Sequence, residues 1–395
     1  MSLGIRGDGA SGAPYVVASG TDTYTASYGS YAGYVLGDSF EVLFTNANTG
    51  ASTININSLG AKALKKNGTV ALDAGDIQAG SVKLLTYDGT NFQITAVGTV
   101  NTTGTPVAGQ VGVFSDVDSI TGFNFYSQDF RLTLASGTPV PVTDITGATI
   151  IYATPYTGKN ISLYNGTSWV LLSSAEFSVA LGTITDDQGY DVFCYSNSGV
   201  PTLELLAWTN NTTRATAIAY QDGVAVKTGD ATRRYMGSFL TTSTTTTEDS
   251  LVKRYLDNHY HKVPRQMFVA SSAATYSYTT ATFRQTNADA TNQLNFFVGL
   301  SQDIFVGEAG QNTSNTTATI LRILGIGFDS ITATWSQPVG RDGQAPGTGS
   351  AKHVASYIGM PVVGKHYIAS LEWSTATGTC SWLIGSHYIS AIKMG

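Results

Sequence analysis

The fold class of this chain follows from the stretch ATIIYATPYTGKNISLYNGTSWVLLSSAEFSVALGTITDDQGYDVFCY (148–195). Within it, short runs that alternate apolar and polar residues are separated by residues that favour turns. Asn165-Gly166 lies between two such runs, and this dipeptide tolerates the positive φ angles that tight hairpin turns require. Short strands whose turns recur about every 8–12 residues predict an antiparallel sandwich or barrel.

The same pattern extends to both sides of this stretch. On the N-terminal side, the predicted strands are FEVLFT (40–45), STININ (52–57), VKLLTY (82–87) and NFQITA (91–96), and RLTL (131–134) follows. On the C-terminal side they are TLELLAW (202–208), QLNFFVGL (293–300), TILRILGIG (319–327), ITATW (331–335), HYIASLEW (366–373) and CSWLIG (380–385). The chain is therefore predicted to be all-β, with sandwich or barrel modules in series.

Two hairpins share a local sequence pattern. YDGTNF (87–92) and YNGTSW (164–169) both place an aromatic residue on each side of a turn, where the two rings can pack across the strands. Turns of type I′ are predicted at Asn67-Gly68, Asp88-Gly89, Asn165-Gly166 and Asp222-Gly223. We interpret the repeat as recurring hairpin chemistry and not as a duplicated domain.

Composition excludes several classes of protein. The 395 residues include 21 Lys and Arg against 27 Asp and Glu, and only 12% of residues are charged while 11% are aromatic. This is not the composition of a disordered chain, and a net charge of −6 argues against nucleic-acid binding. No apolar run is long enough to predict a membrane-spanning helix. The low charge content also indicates surface buried against other subunits.

The cysteine content and the start of the sequence point to a reducing compartment. Cys194 and Cys380 are too few for a disulfide framework and are predicted to be buried free thiols. The start MSLGIRGDGASGAP (1–14) has no apolar centre and is not expected to be a signal peptide.

Composition shifts divide the chain into five parts. The predicted parts are an N-terminal β module (1–97), a Gly- and Thr-rich linker (98–130), a central β module (131–240), a Thr-rich run with an amphipathic helix (241–264) and a C-terminal β-sandwich (265–395). The helix is predicted from Glu248 to about His261, because Val252, Tyr255, Leu256 and His259 are spaced as one apolar stripe. Such a helix must pack on a domain or on copies of itself.

Sequence motifs do not predict an enzyme. Asp186, Asp187, Asp191 and Glu204 supply carboxylates of the kind that cleave glycosides, but Asp186-Asp187-Gln188-Gly189 is better explained as a turn. His259-Tyr260-His261 would bind a metal ion only if the segment were extended and three chains met there, and a structural role is favoured. No catalytic, cofactor-binding or metal-binding residue is assigned, and no cofactor is expected.

Aromatic residues crowd the last part of the chain. They are Tyr276, Tyr278, Trp335, Tyr357, Tyr367, Trp373, Trp382 and Tyr388, and Asn, Gln and Thr residues lie between them. Aromatic rings stack on sugars and amides bind their hydroxyl groups, although most of these rings are expected to fill the core. The long Gly-rich loop GRDGQAPGTGSAKH (340–353) is predicted to be functional or mobile.

Three stretches resemble bacteriophage tail fibres, also called receptor-binding virion proteins. They are FEVLFTNANTGASTININSLGAKALKKNGTVALDAGDIQAGSVKLLTYDGTNFQI (40–94), the stretch 148–199, and LELLAWTNNTTRATAIAYQDGVAVKTGDATRRYMGSFLTT (203–242) with TEDSLVKRYLDNHYHKVPRQM (247–267). Together they cover more than half of the chain. The last 120 or so residues resemble the variable distal domain of such proteins, with fewer motifs.

The resemblance implies a homotrimeric virion fibre that is assembled in the bacterial cytoplasm. Its N-terminal module would attach to other tail or neck proteins, and residues 265–395 would bind a host-cell glycan or envelope protein, without nucleic-acid binding or membrane insertion. The resemblance transfers no individual binding residues. Two alternatives stay open: a structural or decoration fibre on the head or neck with no receptor role, and a tail spike that cleaves polysaccharide.

Overall fold

A computed structural model describes residues 13–94, 101–103, 111–114, 119–123, 126–271, 274–315, 320–335, 341–343, 349–376, 378, 380–383 and 385–395. These residues fall into two compact units. The N-terminal unit lies within residues 1–105 and 113–121, and the C-terminal unit lies within residues 106–112 and 122–395. Within the described residues, regular structure is almost entirely β, and the single helical element is a 3₁₀ turn at Thr286–Ala288. No described helix has the length and apolar character that crossing a membrane requires.

The N-terminal unit is one curved sheet around an apolar core. Its strands are β1 (Tyr15–Ala18), β2 (Thr23–Ala26), β3 (Ser39–Phe44), β4 (Thr53–Ile56), β5 (Lys62–Lys66), β6 (Val70–Ala71), β7 (Val82–Tyr87) and β8 (Phe92–Ile94). They are ordered β1-β3-β7-β8-β5-β4-β2, and β6 pairs with β5. Alternate residues of β3, namely Phe40, Val42 and Phe44, are buried in the core, as the alternating pattern predicts. The four strands predicted in this unit are confirmed. VKLLTY (82–87) coincides with β7, the starts or ends of the other three differ by one residue, and residues 95–96 of NFQITA lie outside the described residues.

Two of the four predicted turns have both central residues in the left-handed region. Asn67 and Gly68 have φ of 49° and 87°, and Asp222 and Gly223 have φ of 51° and 81°. These values are those of the type I′ hairpin turn, so both predictions are confirmed.

The hairpins of the repeated pattern turn in a different way. In both, only the glycine has positive φ, and the preceding side chain holds the turn. Asp88 Oδ1 accepts the backbone N–H groups of the residues two and three positions later at 2.8 and 2.7 Å, and Asn165 Oδ1 does the same at 2.9 and 2.8 Å. The flanking rings pack across the strands as predicted, with centroids 5.2 Å apart for Tyr87 and Phe92 and 5.5 Å apart for Tyr164 and Trp169. The type I′ assignment was therefore wrong here, because an Asx turn replaces it.

The segment predicted as a linker carries regular structure. Strands β9 (Asn101–Thr103), β10 (Val111–Phe114) and β11 (Ser119–Phe123) form a three-stranded sheet in which β11 runs parallel to β9. The linker over 98–130 was predicted from the glycine and small polar residues of this segment. Threonine, valine and isoleucine in the same segment have high β propensity.

The C-terminal unit begins with strands from the central part of the chain. They are β12 (Phe130–Thr133), β13 (Ile145–Ala148), β14 (Ile150–Pro155), β15 (Asn160–Tyr164), β16 (Trp169–Ser173), β17 (Phe177–Ala180), β18 (Gly189–Asn197), β19 (Val200–Ala207), β20 (Ile218–Gln221), β21 (Val224–Lys227), β22 (Asp230–Leu240), β23 (Thr247–Asp249), β24 (Lys253–Arg254) and β25 (Leu256–Asn258). The largest sheet of this part has the order β19-β18-β22-β21-β20, and β25 pairs with β22.

The remaining strands form a jelly roll. They are β26 (Pro264–Ala270), β27 (Tyr276–Ser277), β28 (Arg284–Gln285), β29 (Gln293–Val298), β30 (Phe305–Asn315), β31 (Leu321–Phe328), β32 (Arg341–Gly343), β33 (Gly349–Gly359), β34 (Gly364–Ser374), β35 (Cys380–Trp382) and β36 (Tyr388–Met394). Eight of them form the two main sheets, one with the order β26-β36-β30-β33 and the other with the order β29-β34-β31-β32. The short strands β35 and β27 extend the first sheet beside β30, and β28 pairs with β34. Numbered one to eight along the chain, the eight main strands pair as 1-8-3-6 and 2-7-4-5, which is the double Greek key of a jelly roll.

The jelly roll is continuous with the central strands. Its second sheet continues from β29 through β24 and β23 to β13. A buried ionic network also joins the two parts: Arg214 binds Asp191 at 2.8 and 2.9 Å, and its Nη2 donates to the carbonyl of Gly299 at 2.7 Å. The N–H of Gly299 donates to Asp257, which Lys393 also binds. The predicted modules 131–240 and 265–395 therefore lie within one compact unit.

The predicted helix from Glu248 to His261 is wrong. The segment forms β23, β24 and β25, which pair with β13, β29 and β22 respectively. The apolar stripe is misleading because polar and apolar residues alike are buried at 247–250 and 254–258, and the exposed residue between them is the apolar Leu251. The segment therefore lacks the polar, solvent-facing side that an amphipathic helix needs.

The charged side chains of this segment form ion pairs with neighbouring side chains, instead of interacting with the dipole of a helix. Lys253 lies 3.0 Å from Glu248, and Asp249 binds Arg254 at 3.2 Å and Arg265 at 2.9 Å. Tertiary pairing overrides the local preference for a helix, since an isolated helix of this length is marginal.

A second correction concerns ITATW (331–335), which was predicted as a strand. Asp329 has a φ of 49° and turns the chain after β31, and Ser330 Oγ then accepts the N–H groups of Thr332 and Ala333 at 3.2 and 2.9 Å. The segment folds back so that Thr334 lies against Gly325. A β-carbon added to residue 325 would lie only 2.4 Å from the methyl group of Thr334.

Candidate binding groove on the jelly-roll sheet

The carboxylates considered for glycoside cleavage each have their own partners. Asp191 is fully buried in its pair with Arg214, and Glu204 lies 2.9 Å from Arg233. Asp187, at a φ of 50°, accepts from Lys365 and Asn211 at 2.7 Å each. The arrangement is that of structural ion pairs and a turn, which is the interpretation that the sequence favours.

The structure gives the two histidines of the HxH motif different surroundings. Burial lowers the pKa of His259 to about 4, and its ring packs against Tyr235 and Tyr260. His261 has a φ of 53°, and its Nε2 contacts the carbonyl of Gln128. Residues 259–261 form a bend after β25 and are neither helical nor part of a strand.

Three of the eight C-terminal aromatic residues are buried in the core, fewer than the sequence predicts. Tyr278, Tyr357 and Trp382 are buried, whereas Tyr276, Tyr367, Trp373 and Tyr388 are half-buried and Trp335 is exposed. Tyr276 donates to the buried Glu372 at 2.6 Å, and Arg284 binds the same carboxylate at 2.7 Å. Desolvation, with the neighbouring carboxylate, raises the pKa of Tyr276 well above its ordinary value.

A groove of about 440 Å³ crosses the outer face of the sheet formed by β26, β36, β30 and β33. It is lined by Pro264, Gln266, Val306, Gly307, Glu308, Ser390, Ala391 and Ile392. The strand register fixes this set: Gln266 is paired with Ile392 across β26 and β36, and Glu308 is paired with Ser390 across β30 and β36. The groove thus combines an amide, a carboxylate and a hydroxyl group with aliphatic walls.

An aromatic ring lies at one end of this groove. The ring of Tyr388 lies directly over Gly310, where a β-carbon would come within 2.2 Å of a ring carbon, so only glycine fits. The Tyr388 hydroxyl donates to Glu308, and this hydrogen bond, with burial, raises the pKa of the phenol to about 12. Lys352 Nζ lies 5.9 Å from the ring centroid. Phe268, which is 39% exposed, is paired with Ser390 on the opposite side.

An apolar row runs along the other side of the groove. Ile392, Val306 and Ile358 are directly paired across three strands and are 51%, 44% and 69% exposed. Aliphatic and aromatic surface beside convergent polar groups is the usual make-up of a ligand site, and it suits the mixed C–H and hydroxyl surface of a sugar.

Sequence reasoning found only Tyr388 of these groove residues. Gln266, Glu308 and Ser390 were missed because they lie on three strands far apart in sequence, and only the jelly-roll pairing brings them together. The one local signal is alternation: in PRQMFVA (264–270), Gln266 and Phe268 are exposed between buried neighbours. The predicted functional loop (340–353) falls partly outside the described residues, and its last residues belong to β33.

Both cysteines are buried free thiols, as predicted. Burial raises the pKa of Cys194 to about 12 and that of Cys380 to about 11.

Comparisons with known proteins give only distant likenesses. No protein-family model matches the chain, and no curated protein matches it. Among solved structures, BuGH86wt in complex with neoagarooctaose is 12% identical with a TM-score of 0.19, over 64% of this chain and 34% of that one. A chain in the structure of infectious bursal disease virus, Gx strain, is 9% identical with a TM-score of 0.22, over 64% of this chain and 70% of that one. The insecticidal delta-endotoxin Cry8Ea1 of Bacillus thuringiensis is 9% identical with a TM-score of 0.21, over 67% and 51%. The chain thus spans about a third of BuGH86wt.

Proposed function

We propose that this chain is a bacteriophage tail fibre protein that attaches the virion to a host cell by binding a surface glycan. The observation that carries the proposal is the groove on the outer face of the jelly roll, with Gln266, Glu308 and Ser390 beside the ring of Tyr388. The resemblance of residues 40–94, 148–199, 203–242 and 247–267 to tail fibres supports the same role.

The chemistry of the groove suits hydroxyl groups and C–H faces. The Glu308 carboxylate accepts hydrogen bonds, the Gln266 amide both donates and accepts, and the Ser390 hydroxyl does either. The exposed ring of Phe268 and the half-buried ring of Tyr388 offer apolar surface on which a sugar ring packs. The net charge of −6 makes a neutral glycan a better ligand than a polyanion.

Several copies of the groove on one particle would give tight attachment from weak single sites. We propose that the protein is a homotrimer in the virion, assembled in the bacterial cytoplasm before release. Linked sites gain about 10²–10⁴ in avidity over a single site when they engage one surface.

The first experiment is adsorption competition. The purified chain is incubated with candidate host cells, phage is added, and free phage is counted. We expect the chain to block adsorption and the variant Glu308→Ala to need about a tenfold higher concentration, since a charge-assisted hydrogen bond is worth about 1.5–3 kcal/mol. Glu41→Ala is the matched control, because Glu41 is an exposed strand carboxylate of the N-terminal unit.

Other outcomes favour the alternatives. If the chain binds no cells at concentrations far above that of the phage, a structural or decoration fibre becomes the better explanation, and labelled antibody with electron microscopy would locate it on the head or neck. If the chain releases reducing ends from host polysaccharide, and Asp187→Ala or Glu204→Ala abolishes this activity, it is a polysaccharide-cleaving spike.

A further inference from the structure

Among the residues that the structure describes, the two end strands of the N-terminal sheet, β1 and β2, leave an open space between them. They are joined by a single bridge in which Ser19 and Thr25 exchange backbone hydrogen bonds of 3.0 and 2.9 Å. Beyond this bridge the strands diverge, and a groove of about 510 Å³ opens, lined by residues of β1 and β2 and by Asn55, Asn57 and Ser58. We call this space the strand gap.

Backbone groups of β1 point into the strand gap. The carbonyl groups of Pro14 and Ala18 accept from the N–H groups of Glu41 and Thr45 at 2.9 and 3.1 Å, so these residues face β3. In a parallel pair, successive residues direct their backbone groups to opposite sides. Tyr15 and Val17 therefore direct their N–H and C=O groups away from β3, towards the gap.

The same argument applies to β2. The carbonyl groups of Asp22 and Ala26 accept from Thr53 and Asn57 at 2.7 and 3.0 Å, on the side of β4. Ser27, the next residue after Ala26, therefore directs its backbone groups towards the gap. Continuing the register of the Ser19–Thr25 bridge would pair Ser27 with Val17, but the strands have separated by that point.

The chain that follows β2 is held away from the gap. The side chain of Asn57 accepts the N–H of Tyr28 at 2.8 Å and donates to the carbonyl groups of Tyr28 and Tyr31 at 2.9 and 3.0 Å. These three bonds fix the segment beside β4, so it does not continue the β1–β2 ladder.

The outer face of the sheet beside β1 carries an apolar row, next to a second row in which the exposed Glu41 lies between Tyr15 and Leu84. Tyr15 and Val17 are 53% and 50% exposed, and Val82 and Leu84 of β7 are 50% and 39% exposed. The register places Val17, Leu43 and Val82 in one row across three strands. An added strand with apolar residues at alternate positions would extend this row while its backbone paired with β1.

We propose that the strand gap binds an extended segment of a partner polypeptide, with apolar residues at alternate positions, as an added strand. Open strand edges are templates for this mode of recognition, in which backbone hydrogen bonds give affinity and alternate side chains give specificity. The inference concerns a different surface from the jelly-roll groove, so the two proposals can fail separately.

The test uses the full chain and a defined peptide. The probe is a fluorescein-labelled octapeptide that alternates valine with threonine and has lysine at both ends, and binding is followed by fluorescence anisotropy. We expect saturable binding that weakens at least about tenfold when alternate peptide amides are N-methylated, because the side chains remain and the backbone donors are lost.

Two variants locate the binding site. Val17→Asp places a charge on β1 itself, where Val17 lines the gap and is 50% exposed, and it is expected to weaken binding at least about tenfold. Val70→Asp is the matched control, since Val70 is 48% exposed on β6 of the same unit, and it is expected to bind like the original chain. Circular dichroism of both variants checks that the fold is intact.

Three results would overturn the proposal. The first is absence of saturable binding. The second is equal binding by the N-methylated peptide, or equal binding by the Val17→Asp and Val70→Asp variants. The third is binding only after residues 1–12 are deleted, which would mean that this chain occupies its own gap.

Discussion

The buried imidazole of His387 makes a specific prediction about acid stability. The side chain is 5% exposed, and neither ring nitrogen has a hydrogen-bond partner among the described residues. Desolvation lowers its pKa from 6.5 to about 4, and the charge of Asp289 opposes this shift only weakly. The folded protein therefore keeps the ring neutral at a pH where the unfolded chain protonates it.

The sign and size of the effect follow from proton linkage. The folded pKa is depressed, so the unfolded state binds the extra proton between pH 6.5 and about 4, and stability falls as the pH falls through this window. At pH 5 the unfolded imidazole is almost fully protonated and the folded one is about one-tenth protonated. The resulting loss for this residue is about 2 kcal/mol relative to pH 7.

Substitution by methionine removes the titrating group and keeps a side chain of similar volume. We expect His387→Met to reduce by about 2 kcal/mol the free energy of unfolding that is lost between pH 7 and pH 5. At pH 7 the variant should be at least as stable as the original, because two unpaired polar atoms leave the core. Urea unfolding of both proteins at pH 7, 6 and 5 measures these quantities. An identical pH dependence for the two proteins would refute the reasoning.

Three further predictions concern the C-terminal unit. Asp191→Ala leaves the buried guanidinium of Arg214 without its carboxylate partner and should lower the free energy of unfolding in urea by about 3–5 kcal/mol. Replacing both residues by apolar ones should recover part of this loss of stability. Gly310→Ala forces the overlying tyrosine ring to move and should cost about 1–3 kcal/mol; a thermal scan that matches the original would contradict the close approach. Cys194 and Cys380 should react with a thiol reagent only in denaturant, and rapid labelling of the native protein would show that they are not buried.

The sequence predicts strands well where alternation is regular. FEVLFT (40–45), VKLLTY (82–87) and HYIASLEW (366–373) all lie within observed strands or extend one residue beyond them, because a period of two with turn residues at both ends has few other solutions. The paired aromatic residues of the two hairpins were predicted for the same reason.

The predicted helix and the groove residues have one physical cause in common, which is pairing between strands far apart in sequence. Residues 247–258 have the spacing of a helix, but Tyr255 and Leu256 of the stripe and polar neighbours such as Asp249 and Asp257 are buried by strands from other parts of the chain. A local pattern cannot report such neighbours. The groove residues Gln266, Glu308 and Ser390 were missed although they lie at the surface, since long-range pairing alone places them together.

The position of β36 in the sheet has a consequence for folding during synthesis. β36 (Tyr388–Met394) lies between β26 and β30, and Arg265 of β26 is paired with Lys393. β26 therefore has no neighbour on that side until more than a hundred further residues have left the ribosome. Contacts so distant in sequence close slowly, and the nascent jelly roll exposes an unpaired edge meanwhile. Slow translation or truncation near residue 388 should trap the chain in an aggregation-prone intermediate.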